Sequence, residues 1–147
     1  MMKASNLAGK AINISRTTAA HALSYKITSE YGIPHGHAVA LSIPDVFYAN
    51  KDIDDSTCVD ERGREFVINR LNEINDILNI NNIQKYWINL MKQIGLKYNF
   101  EKLGIVDKQL IINSVNQERL KNNPKILSND LCYFWRNIWE TKIINLP

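Results

Sequence analysis

Thr17-Thr18-Ala19-Ala20-His21-Ala22-Leu23-Ser24-Tyr25-Lys26-Ile27-Thr28-Ser29-Glu30-Tyr31-Gly32-Ile33-Pro34-His35-Gly36-His37 is the stretch on which the fold turns. Ala19, Ala20, Leu23, Ile27 and Tyr31 recur at helical spacing, so the run predicts an amphipathic helix. Ser15 or Thr17 offers the hydroxyl that caps its first turn. Gly32 can adopt the left-handed conformation that ends a helix, and Ile33-Pro34 turns the chain. A second helix is expected over residues 36–49, with Pro44 kinking it or starting a new turn. All three histidines of the chain, His21, His35 and His37, fall in this window. His21 and His35 are fourteen residues apart and converge if one helix delivers the first and the following turn the second. Imidazole is the commonest metal ligand near neutral pH, so the clustering points to half of a metal site. A catalytic metal takes three or four protein ligands, and Asp45 is the nearest downstream carboxylate.

Outward from this pair the same helical period dominates. A short helix is expected over residues 4–13, although Gly9 weakens it by about 1 kcal/mol relative to alanine. Residues 51–62 are polar and acidic and read as a loop. Phe66, Val67, Leu71, Ile74 and Leu78 mark a helix over residues 63–78. Residues 79–82 interrupt it, and a further helix follows over residues 83–94 with Gly95 as its stop. Asp107 is placed to cap a helix reaching residue 120, and Asn122-Asn123-Pro124 breaks it. A last helix begins near Ser128 or Asn129 and carries Leu131, Phe134, Trp135, Ile138 and Trp139 as a core or interface face. The fold class is therefore all-α, a multi-helix bundle of about seven helices forming one domain over residues 1–147.

Composition narrows the function classes. The net charge of +3 is mild and forms no clustered stripe, which argues against a nucleic-acid surface. No apolar run approaches the roughly 20 residues that span a bilayer, and the N-terminus lacks the apolar core of a signal peptide. Cys58 and Cys132 lie far apart and in no CxxC pair, as in a reduced cytoplasmic protein rather than a disulfide scaffold.

Ala8-Gly9-Lys10-Ala11-Ile12-Asn13-Ile14, the run from Thr17 to Tyr25, and Gly32-Ile33-Pro34-His35-Gly36-His37-Ala38-Val39-Ala40-Leu41 together resemble the C-terminal domain of iron-containing alcohol dehydrogenases. Within that family the resemblance is nearest to the branch that includes phosphonoacetaldehyde reductases. Val115-Asn116-Gln117-Glu118-Arg119-Leu120-Lys121-Asn122-Asn123-Pro124 is similar to the family's C-terminal stretch. The resemblance is strong over residues 4–49, clear over 107–124 and weak between. Its most specific element is His-x13-His with Pro-His-Gly at the second histidine.

The resemblance implies one divalent metal, Fe²⁺ or Zn²⁺, held between this helical domain and an N-terminal α/β domain that binds most of the NAD(P). It implies that His21 and His35 are two of the metal ligands, beside an Asp-x-x-x-His pair that this chain lacks. The metal would act as a Lewis acid on an aldehyde or alcohol while hydride moves to or from the nicotinamide. Tyr25 stands where many family members carry a second histidine, four residues after the first ligand. Its hydroxyl could donate a hydrogen bond, but an ordinary tyrosine pKa near 10 makes it a poor proton relay. Ser15, Arg16, Thr17 and Thr18 offer donors for an anionic substrate group, or else a capping turn beside a solvated arginine. Gly9 allows either close approach of substrate or tight helix packing. His37 reads as an outer or surface residue, and Lys10 as solvated. The chain is expected to be the back end of a family protein, inactive alone, with a separately encoded N-terminal half and a homo-oligomer both open. The competing expectation is a decayed, stand-alone helical interaction module without catalysis.

Overall fold

In the computed structural model, residues 1–127 are described. They form seven α-helices: α1 (Met2–Ser15), α2 (Ala19–Tyr31), α3 (His35–Lys51), α4 (Arg64–Leu78), α5 (Ile83–Gln93), α6 (Lys108–Asn113) and α7 (Gln117–Leu120). A 3-10 turn occupies Glu101–Leu103, and the described residues contain no strand beyond an isolated bridge between Cys58 and Lys125. No helix among them is long and apolar enough to cross a membrane. The all-α expectation holds. The last predicted helix, with Phe134, Trp135 and Trp139, lies outside the described residues, as does Cys132.

The α2–α3 hairpin forms the centre. Ala19, Ala20, Ala22, Leu23 and Ile27 of α2 are buried with Ala38, Val39, Leu41, Val46 and Ala49 of α3. The small alanines let the two backbones approach closely, and Leu23 and Ile27 fill the layer between them. Gly32 ends α2 at φ 64°, the left-handed conformation that glycine adopts without steric penalty, and its N–H donates to the Thr28 carbonyl. Phe100, Ile105, Ile111, Val115 and Leu127 from the second half of the chain close the same core.

Three local expectations are corrected. Pro44 starts no new turn, since α3 runs from His35 to Lys51 with the proline inside it. A proline at that position cannot donate to the Ala40 carbonyl four residues earlier. Trp87 of α5 donates its indole N–H to that carbonyl at 2.8 Å, so the lost hydrogen bond is replaced across the core. The helix expected over 107–120 is two helices. Asp107 caps α6 through the Leu110 N–H, but the Ser114 hydroxyl donates back to the Leu110 carbonyl, and the Asn116 side chain accepts from the N–H groups of Glu118 and Arg119. These short polar side chains offer the backbone a second N-cap in place of continuous helix. Finally, neither Ser15 nor Thr17 caps α2. Its N-cap is Thr18, which makes no side-chain cap bond, and Ser15 is still inside α1 with its hydroxyl donating to the Ala11 carbonyl.

A buried amide pair ties the 120s to α3. The Asn50 and Asn123 side chains donate to each other at 3.2 and 2.7 Å, and Asn123 also donates to the Lys125 carbonyl. The Lys125 ammonium, only 5% exposed, donates to the Asp52 carbonyl at 2.7 Å. These contacts hold the segment after α7 against the C-terminal end of α3, and α7 itself packs against α2, which matters for the site below. By contrast α1 buries none of its residues, and Leu7, Ile12 and Ile14 are exposed.

Candidate metal centre

His21 stands in the first turn of α2 and His35 opens α3, so the turn Gly32-Ile33-Pro34 brings them together. Their ring centroids lie 5.4 Å apart with the planes at 61°. The Tyr25 ring, one helical turn beyond His21, lies 5.4 Å from the His35 ring. Arg119 of α7 stacks on Tyr25, its guanidinium carbon 4.2 Å from the ring centroid, and donates to the Tyr25 hydroxyl at 2.9 Å. The row His21, His35, Tyr25, Arg119 thus crosses from α2 and α3 to α7. Arg119 was not legible as a site residue, because its partner lies 94 residues away.

His21 is partly buried, and desolvation pulls its pKa below the usual 6.5, with a smaller push from the neighbouring His35. Both effects favour the neutral imidazole, the form that binds metal. The sign for stability follows. The unfolded chain takes up the His21 proton more readily than the fold does. The stability carried by neutral His21 is therefore complete above pH 6.5 and is lost as pH falls through the lowered folded value. The thermal midpoint is expected to drop on acidification below pH 6.5, and less steeply in His21→Gln. An identical acid drop in that variant, followed by circular dichroism, would remove His21 as the cause.

The other sequence-predicted residues fall elsewhere. The His37 imidazole Nε2 is 2.6 Å from the Lys97 carbonyl, which occupies that nitrogen. Asp45 is buried and lines a small cleft with Gln84, Trp87 and Met91 between α3 and α5. Among the described residues no cluster of three or more His, Cys, Asp or Glu is placed to hold a metal, so Asp45 does not join the histidines. Gly9 lies in α1, and among the described residues no heavy atom stands within 4 Å of where its Cβ would be. Ser15 and Arg16 line an open cleft of about 700 Å³ with residues of α3 and α4, and none of His21, Tyr25 or His35 lines it. Arg16 ends α1 at φ 61°, a conformation uncommon for a side chain larger than glycine. The Asn122 amide clamps this turn by donating to the Ser15 and Thr17 carbonyls at 3.2 and 2.8 Å. Ser15 and Arg16 therefore line a cleft that the histidine pair does not.

The donor chemistry fits two positions of an Fe²⁺ or Zn²⁺ shell. Imidazole suits both ions, the pair is close enough to converge, and burial shifts His21 toward its neutral form. The profile of the Fe-containing alcohol dehydrogenase family, C-terminal, matches residues 1–131. The chain belongs to this family. A phosphonoacetaldehyde reductase of Streptomyces viridochromogenes (strain DSM 40736) is 32% identical over 63 residues. That stretch is 43% of this chain and 16% of the relative's length. No solved structure matches. Within this C-terminal domain the helical hairpin is the part that presents the histidine pair.

Proposed function

We propose that the chain is the metal-binding portion of an NAD(P)-dependent alcohol dehydrogenase, with His21 and His35 as two ligands of Fe²⁺ or Zn²⁺. The convergence of the two imidazoles at 5.4 Å carries this reading. The parent reaction is reversible hydride transfer between NAD(P)H and an aldehyde. The metal, when bound, supplies Lewis acidity toward the substrate oxygen. The remaining ligands and most of the nicotinamide site belong to an N-terminal α/β portion outside these residues, on the same polypeptide or separately encoded. The whole chain, residues 1–147, acts as one cytoplasmic domain in this assignment.

Tyr25 is 45% exposed beside the pair and accepts its hydrogen bond from Arg119, so its own O–H stays available for a substrate oxygen. Arg119 adjoins the rings, whereas Ser15 and Arg16 line another cleft. Its remaining N–H groups suit an anionic substrate group, and a phosphonate is the group in the Streptomyces relative's name. Gly9 keeps no direct part in this arrangement.

Anaerobic Fe²⁺ and Zn²⁺ calorimetry, with NADPH consumption measured in parallel, tests the assignment. Metal binding without hydride turnover is the expected result. Turnover by the purified chain alone would overturn the assignment of cofactor binding to another portion. Indifference to metal in a folded chain would favour a helical interaction module instead, a reading that the exposed Leu7, Ile12 and Ile14 on α1 support.

A further inference from the structure

We infer that Ser24 is a positioning residue that selects the tautomer of His35, holding the proton on Nδ1 and leaving Nε2 with the free lone pair. The inference rests on the metal reading above but concerns a contact that can be observed without metal. Ser24 lies on α2 three residues after His21 and is fully buried. Its Oγ is 2.8 Å from the His21 carbonyl oxygen and 3.3 Å from His35 Nδ1.

A hydroxyl has one proton to give. The carbonyl oxygen can only accept, so the Ser24 proton goes there. Contact between Oγ and Nδ1 is then a hydrogen bond only if the imidazole donates. Neutral His35 therefore carries its hydrogen on Nδ1. Among the described residues no other hydrogen bond reaches the His35 ring, so nothing opposes this choice. The Tyr25 ring, tilted 39° to the imidazole, makes no hydrogen bond to either nitrogen.

The same hydroxyl thus touches both candidate ligands, His21 through its backbone and His35 through its ring. It ties α2 to the first residue of α3 just after Pro34, whose ring already restricts the backbone. Metal-bound histidines commonly donate their second ring N–H to an oxygen, which fixes the ring and raises its basicity. A serine buried in the hairpin supplies that oxygen here. Sequence spacing alone did not single it out, because Ser24 reads as an ordinary buried position of an amphipathic helix.

The test is a two-bond proton–nitrogen correlation spectrum of the metal-free, ¹⁵N-labelled chain, recorded where both imidazoles are neutral. His35 is expected to show the Nδ1–H pattern in the wild type. In Ser24→Ala it is expected to shift toward Nε2–H, the form an unconstrained histidine favours in water. Alanine is the best helix former and removes only one oxygen, so the variant should keep the hairpin. A His35 found as Nε2–H in the wild type overturns the inference without any variant. An unchanged pattern in Ser24→Ala overturns it too. Where Zn²⁺ binds, Ser24→Ala is expected to weaken it by about 10–100-fold. An Nδ1–H pattern in a chain that binds no metal would sink the metal reading and leave the Ser24 assignment standing.

Discussion

Zn²⁺ binding by the 147-residue chain is expected to be lost in His21→Ala and equally in His35→Ala. Each variant leaves a single imidazole. The hairpin that brings the rings to 5.4 Å would then have no second donor to close on the ion. The loss should exceed the roughly 10–100-fold expected for an outer hydrogen-bond partner, because a direct bond to the metal is removed. Neither substitution opens the core, since His21 is partly buried and His35 exposed, so both variants should fold. His37→Ala is the internal control. Its ring contacts the Lys97 carbonyl and is not part of the pair, so its binding isotherm should match the wild type. Calorimetry under anaerobic conditions checks all three. Unaltered affinity in either His21→Ala or His35→Ala would show that the two rings do not share an ion.

Leu23→Ala is expected to destabilise the fold by about 2–5 kcal/mol. Leu23 is 0% exposed and sits where α2 meets α3, in the core that Ile105 and Ile111 also enter. Truncation removes its burial and leaves a cavity that the helices can close only partly, since the surrounding alanines have no side-chain length to spare. The residue is flanked by Ala22 and Ser24, so loosening here also disturbs the contact from Ser24 to His35. Urea denaturation should show a lower midpoint with little change in slope. Ile77→Ala is the comparison. Ile77 is 82% exposed on α4, so its loss should change stability by no more than about 0.5 kcal/mol. Equal midpoints for the two variants would mean that the α2–α3 layer is not the core.

The α2–α3 hairpin and the nearness of His21 to His35 were legible in the sequence. Residue spacing at i, i+3 and i+4, a glycine able to reverse its backbone and a proline after it are local quantities, and each acts within a few residues of chain. The stop at Gly95 and the cap at Asp107 were readable for the same reason. The helix expected over 107–120 failed on a local competition. Ser114 and Asn116 can satisfy backbone groups themselves, and the apolar period of that segment was too weak to outweigh them.

Other features depend on partners that chain order hides. Pro44 reads as a kink or a new turn until Trp87, 47 residues beyond Ala40, donates to the Ala40 carbonyl that the proline orphans. Arg119 carries no site signal of its own in the sequence, and only the packing of α7 beside α2 lays it on Tyr25. Ser15 and Arg16 sit a few residues before His21, yet at the end of α1, beside the Asn122 clamp, they line another cleft. Helical period and turn chemistry are written residue by residue, so the sequence suffices for the helices and for the pair of histidines they present. Which polar group meets which across the core depends on how the helices dock, because burial leaves a backbone carbonyl only the partners that packing brings within reach.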